Sequence, residues 1–71
     1  MIVPRYYFHF VAKTRIEDDA GENFIDELRA LEHAQTMAAQ MARSGNLVGC
    51  TIVVATEQSE LFEVPLTRLH S

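Results

Sequence analysis

The fold is decided by residues 26–43, which read DELRALEHAQTMAAQMAR. Apolar side chains recur there about every 3.6 residues, which predicts an amphipathic helix of about 16–18 residues. Asp26 is placed to cap the N-terminus, and Glu27 in the first turn suits the helix dipole. Gly45 or Asn46 then supplies a left-handed stop. The predicted apolar stripe comprises Leu28, Leu31, Ala34, Met37, Ala38, Met41 and Ala42.

Strand-like segments flank this helix on both sides. Residues 5–11 are aromatic and β-branched, and Pro4 stands just ahead of them, which predicts a strand. Residues 49–56 predict a second strong strand and residues 61–66 a third, while residues 14–17 predict a short return strand. The order β-(β)-α-β-β implies an α+β fold. We expect three or four antiparallel strands, with the single helix packed on one face.

Side-chain alternation sorts the strand residues onto two faces. The odd positions are mixed in polarity, and because one helix covers only one face, we expect them to stay open in a monomer. We call this the uncovered face, and its candidate interface residues are Tyr7, His9, Val53 and Leu61. The alternative is that Tyr7 and His9 shield a half-solvated face, as antiparallel sheets often do. The even positions are almost wholly apolar and should meet the helix, among them Tyr6, Phe8, Phe10, Cys50, Ile52, Val54, Phe62, Val64 and Leu66.

Length and composition limit the architecture. Residues 1–71 allow one small domain, and 48% apolar with 23% charged residues is a globular mix. A core of this size stabilises the fold by only about 3–5 kcal/mol unless self-association adds to it. Cys50 is the single cysteine, so no internal disulfide can form. The lone thiol and the N-terminus without a secretory pattern predict a cytoplasmic protein without a membrane segment.

The net charge of −4 is unevenly distributed. Residues 1–16 carry Arg5, Lys13 and Arg15 and no acid, whereas residues 17–33 carry seven acids against one arginine. The acidic balance argues against general nucleic-acid binding, because phosphates require a basic surface. One alternative function stays open. In it, single-stranded nucleic acid or another anionic ligand would bind beside the aromatic rings of the uncovered face and contact Arg5, Lys13 and Arg15.

No pattern in the sequence predicts catalysis, a cofactor or a metal site. His9, His33 and His70 lack the spacing of metal ligands, and Cys50 has the core-facing parity of a structural thiol. The acidic run at residues 17–22 lacks the alternating oxygens of a calcium loop and predicts a solvated turn. We therefore expect a non-enzymatic interaction or self-association module. A homodimer using the uncovered face, or the edge of the last strand, is the simplest form.

Several short motifs follow one another along the chain. Near its start, residues 4–9 read PRYYFH. This stretch resembles the motif Pro-Arg-Tyr-Tyr/Phe-Phe, which opens the members of a family of short bacterial domains of unknown function. The family is common in rhizobia and their relatives. The chain departs from the family at residues 11–14, where members often place an Asp-Gly-type turn. The resemblance implies a compact α+β module and supplies no catalytic or binding residues. The matching later features are the Asp-x-x-Gly turn at 18–21, Phe24, Ala34 and Ala38 in the alanine-rich helix, and the acidic turn with Val-Pro strand end at 57–65.

Overall fold

The computed structural model describes residues 3–44 and 49–66. Within these ranges it confirms the α+β class and the order β-(β)-α-β-β, and it adds a two-residue strand before the helix that the sequence does not predict. The elements are β1 (Arg5–Val11), β2 (Arg15–Ile16), β3 (Glu22–Asn23), α1 (Glu27–Ser44), β4 (Thr51–Ala55) and β5 (Glu60–Pro65).

All strand pairs are antiparallel, and the sheet has the order β2-β1-β4-β5. β3 pairs with the opposite end of β1 from β2, where Tyr6 faces Glu22. Two very short strands therefore share the outer edge of β1, and residues 17–21 run between them. β4 lies at the centre, between β1 and β5, so its side chains have strand neighbours on both sides.

The helix packs on one face of the sheet, where the buried residues form a single cluster. Its strand members all lie at even positions or directly after β5, so the predicted assignment of the core face is correct. Ile52 and Val54 are fully buried side chains at the centre of the cluster. Cys50 is buried beside them, in agreement with its predicted parity. The cluster comprises Tyr6, Phe8, Ala30, Ala34, Ala38, Cys50, Ile52, Val54 and Leu66.

The helix begins as predicted. Asp26 caps it, since its Oδ1 accepts the N–H of Arg29 at 2.9 Å. α1 starts at Glu27 and runs for 18 residues. The predicted stop at Gly45 or Asn46 lies outside the described residues. In residues 3–44 and 49–66 no helix is long and apolar enough to cross a membrane.

The predicted helix stripe is wrong at its first position. Leu28 is 64% exposed, whereas Ala30 is completely buried. At about 100° per residue the two side chains point to nearly opposite sides of the helix. The face that contacts the sheet follows the four-residue row Ala30, Ala34 and Ala38, which places Leu28 toward solvent. Small side chains at this row let the helix backbone approach the sheet closely.

Gly21 ends the segment between β2 and β3 with a φ of 70°. A Cβ at this position would lie 2.8 Å from Arg5 Cγ and 2.9 Å from Tyr7 Cε1. Gly49 also has a positive φ, of 95°, but a Cβ there would meet nothing within 4 Å. A substitution at Gly49 therefore tests backbone strain alone, whereas the same substitution at Gly21 adds side-chain crowding.

We predict that Gly49→Ala lowers the free energy of unfolding by about 1 kcal/mol, because it adds only left-handed backbone strain. Gly21→Ala should cost about 1 kcal/mol more, because Arg5 and Tyr7 must also move. Urea denaturation followed by circular dichroism measures both values. Equal losses in the two variants would contradict the crowding at Gly21.

Candidate functional site

The Asp18 carboxylate completes the outer edge of β1 between β2 and β3. Its Oδ2 accepts the N–H of Phe8 at 3.2 Å, and its Oδ1 accepts those of Ala20 and Gly21, both at 3.1 Å. The N–H of Asp18 in turn donates to His9 Nδ1 at 3.0 Å. The sequence predicts a solvated acidic turn here. Asp18 instead turns toward the sheet, because Phe8 has no strand partner on this edge.

These hydrogen bonds set the charge state of the Asp18 carboxyl. Partial burial raises the pKa of this carboxyl. The N–H groups of Gly21, Phe8 and Ala20, together with nearby His9, lower it by more than burial raises it, so the pKa lies below its ordinary value of 3.8. The folded state therefore holds this proton more weakly than the unfolded state. The resulting stabilisation is fully present above the unfolded pKa and is lost as the pH falls through the folded pKa.

Tyr7 and His9 lie together on the uncovered face. Their rings are stacked, with centroids 6.3 Å apart and 2° between the ring planes. Both side chains are half-buried. The Tyr7 hydroxyl donates to Glu57 Oε1 at 3.4 Å, and Asp18 holds the His9 ring from the edge of the sheet. Tyr7 and His9, which are both expected on this face, therefore stack on each other, and a hydrogen bond holds each ring in its orientation.

Val53 differs from the expectation for this face. It is only 3% exposed, although the helix lies on the other side of the sheet. Val53 is in the central strand, opposite His9 on β1 and Glu63 on β5. Larger neighbours on both sides remove it from solvent, so Val53 lies beneath the surface that a partner would meet.

Leu61 is also placed differently from the prediction. The register shifts between Val54 and Ala55, so that Phe62 faces Val54 while Glu60 faces Ala55. Leu61 is the extra residue of this bulge, and it packs against the core cluster. Odd–even parity is reset by the bulge, and Glu60 takes the place on the uncovered face that the sequence assigns to Leu61.

An ion pair spans the uncovered face. Arg15 Nη2 lies 2.9 Å from Glu60 Oε2, and Arg15 Nε lies 3.2 Å from Glu17 Oε1. β2 and β5 are the outermost strands, so the contact between Arg15 and Glu60 must pass over β1 and β4. The hydrogen bond to Glu60 is the main cause of a raised pKa at Arg15.

The three basic residues assigned to anion contact do not form one cluster. Arg5 is at the start of β1, and its Nη1 donates to the carbonyl of Ala20 at 2.7 Å. Arg15 pairs with Val11 at the far end of β1, which at about 3.3 Å per residue is roughly 20 Å from Arg5. Lys13 lies exposed in the bend beyond Val11.

Charge is divided across the uncovered face. Arg5 and Arg15 lie on the β1–β2 side. Glu60 and Glu63 lie on β5, and Glu57 reaches Tyr7 from the turn ahead of that strand. The face therefore carries arginines along one side and glutamates along the other, with the Arg15–Glu60 ion pair and the Tyr7–His9 stack between them.

A second surface lies on the other side of β1, between α1 and residues 16–22. It is a groove of about 400 Å³, which we call the helix-side groove. Phe8, Phe10, Ile16 and Met37 form its apolar floor, and its rim carries Glu17, Asp18, Glu22 and His33.

His33 fixes one wall of this groove. Its Nε2 lies 3.3 Å from Glu22 Oε2, and its ring centroid is 5.2 Å from that of Phe8 and 5.1 Å from that of Phe24. The sequence pattern does not predict this groove. Its one local signal is Ile16, an apolar residue within a polar hairpin, which is 63% exposed.

The remaining candidate histidine, His70, lies outside the described residues. Across the two described segments, no group of three or more His, Cys, Asp or Glu side chains is placed to hold a metal ion. His9 and His33 lie on opposite faces of the sheet, because one follows strand parity away from the helix and the other belongs to the helix itself. The structure therefore does not bring His9 and His33 together.

The family model described as Domain of unknown function (DUF6894) matches residues 5–67. The chain belongs to this family. The DUF6894 match covers every helix and strand from β1 to β5, so it includes both surfaces. The resemblance to an uncharacterised family is thereby confirmed, while the rhizobial origin stays a prediction. No curated protein and no solved structure matches this DUF6894 chain.

We predict that Asp18→Asn lowers the free energy of unfolding by about 1–2 kcal/mol at neutral pH, because the charged acceptor of three N–H groups is lost. Below about pH 4.5 the wild-type stability should fall more steeply than that of the variant, so the two curves converge. Urea denaturation between pH 7 and 2.5 measures this. Asp19→Asn, at the exposed neighbouring residue, is the control. Parallel curves for wild type and Asp18→Asn would contradict the role of this carboxylate.

Proposed function

We propose that this chain is a non-enzymatic self-association module that forms a homodimer through its uncovered face. The observation that carries the proposal is the division of charge on that face: Arg15 and Glu60 are paired within the chain, whereas Arg5 on the β1–β2 side and Glu63 on β5 have no ion-pair partner among the described residues. A surface with this pattern is complementary to a second copy of itself. The second copy is therefore the occupant to which the proposal commits.

The geometry of such a dimer follows from symmetry. Consider a two-fold axis that runs parallel to the strands, between two uncovered faces. The rotation lays the β1–β2 side of one protomer over the β5 side of its partner, so Arg5 and Arg15 approach Glu63 of the other copy, while Arg15 and Glu60 stay paired within each chain. The contact is isologous, and each protomer supplies both charges.

The centre of the face supplies an apolar contact for this dimer. The stacked Tyr7 and His9 rings stand above the buried Val53, and tyrosine is enriched at interfaces because it combines a large rigid ring with a hydroxyl. A core limited to about 3–5 kcal/mol also gains stability from any partner that binds only the folded chain. The aromatic centre of the face and the small core both favour association over an isolated monomer.

The anionic-ligand alternative has weaker support on the same face. Arg15 is held by two carboxylates, and Arg5 is bound to the carbonyl of Ala20, so a phosphate would have to displace these partners. Lys13 lies exposed in the adjacent bend, beyond the far end of β1 from Arg5. This arrangement suits contacts within the protein more than a continuous track for a nucleic-acid backbone.

We predict that the wild-type chain approaches twice 8.0 kDa as its concentration rises from about 10 μM to 1 mM in sedimentation equilibrium. Tyr7→Glu should weaken the dimer about tenfold or more, because it places a carboxylate at the centre of the contact. Glu63→Arg should do the same by setting like charges against each other. Circular dichroism checks that both variants remain folded.

Glu32→Arg is the matched control, because it makes the same charge change on an exposed helix position away from the uncovered face. A chain that stays monomeric at 1 mM would reject the proposal, as would equal effects of Glu63→Arg and Glu32→Arg. A monomer that binds a labelled single-stranded oligonucleotide, with affinity falling steeply as salt rises, would favour the anionic-ligand alternative.

A further inference from the structure

We infer that the helix-side groove binds a basic peptide segment of a partner protein, with the aliphatic stem of an arginine or lysine lying on the groove floor. This inference is separate from the homodimer, because the groove lies on the opposite side of the sheet from the uncovered face. Three observations about the groove carry it: its size, its apolar floor and its acidic rim.

The floor of the groove is apolar and accessible. Ile16 is 63% exposed, and Phe10 and Met37 beside it are only partly buried. β2 holds Ile16 in place by pairing it with Phe10. A volume of about 400 Å³ falls within the range of small-ligand pockets, which is about 300–1,000 Å³. The groove can therefore receive one long side chain with its neighbouring backbone.

The rim of the groove is acidic. Glu17 and Glu22 both have more than half of their side-chain surface exposed. Asp18 lies between them, but its oxygens are occupied by backbone N–H groups. Among the described residues Glu17 has Arg15 as its ion-pair partner at 3.2 Å, and Glu22 has His33 at 3.3 Å. Two carboxylates therefore stand at the rim with oxygens available to a cation.

The apolar floor and the acidic rim together determine which kind of side chain the groove favours. Arginine and lysine carry an aliphatic stem that covers apolar surface and a cationic head that stays at the polar boundary. An acidic segment would be repelled by the rim, and a purely aliphatic segment would bring no cation to the two exposed carboxylates. A segment with basic residues on either side of an aliphatic one matches both parts of the groove.

The test is a titration of the uniformly ¹⁵N-labelled full chain with the blocked peptide acetyl-Gly-Arg-Leu-Arg-Gly-amide, followed by amide chemical shifts. We predict shifts at Ile16, Glu17, Glu22 and Met37. Acetyl-Gly-Glu-Leu-Glu-Gly-amide is the matched control peptide and should cause none. The basic peptide should bind weakly, with a dissociation constant of about 0.1–1 mM, because a short contact loses much of its energy to ordering.

Two pairs of variants identify the groove. Ile16→Ser should weaken binding of the basic peptide about threefold to tenfold, whereas Ile25→Ser, at a position that is 75% exposed and outside the groove, should not change it. Glu22→Gln should weaken binding to a similar extent, whereas Glu32→Gln should not. Ile16 and Ile25 are both largely exposed, so neither substitution disturbs the core.

Three results would overturn the inference. The first is no shift at about 5 mM basic peptide. The second is equal weakening by Glu22→Gln and Glu32→Gln, which would show unspecific attraction to an acidic protein. The third is a set of shifts confined to Tyr7, His9 and Glu63, which would place the peptide on the uncovered face.

Discussion

The Asp18 carboxylate holds the outer edge of β1 together, and both surfaces described above depend on it. By accepting the N–H of Phe8 it takes the place of a strand, so β2 and β3 need only two residues each. Its backbone N–H orients His9 on the uncovered face. The turn that it closes carries Glu17 and Glu22 to the rim of the helix-side groove. One residue, through its carboxylate and its backbone N–H, therefore fixes the geometry of both sides of the sheet.

A single helix over a five-strand sheet leaves one face without a second layer, and long polar side chains cover it instead. Arg15 and Glu60 meet above the two central strands, and the Tyr7–His9 stack stands beside them. Such side chains bury apolar surface with their stems while their charged groups stay in water. This explains why Val53 is buried on a face that no helix covers.

The sequence predicts those features that depend on local periodicity. The helix, its cap at Asp26 and the core face of the strands follow from spacings of 3.6 and 2 residues. Leu28 and Leu61 are misplaced because the rotation of the helix and the bulge in β5 are set by packing between elements. On the candidate surfaces, parity is enough to place Tyr7 beside His9. The role of Asp18 and the helix-side groove escape prediction, because they require contacts between residues that are distant in the chain.

The thin core and the short chain also determine how the molecule responds to heat. Ala30, Ala34 and Ala38 contribute few methyl groups to the core, and the entropy of unfolding is small because it scales with the chain length of 71 residues. In domains of this size each kcal/mol of added stability moves the thermal midpoint by about 4–8 °C. A partner present at one hundred times its dissociation constant adds about 2.7 kcal/mol. Occupancy of either surface would therefore raise the melting temperature by roughly 10–20 °C, so the melting temperature is a sensitive measure of binding.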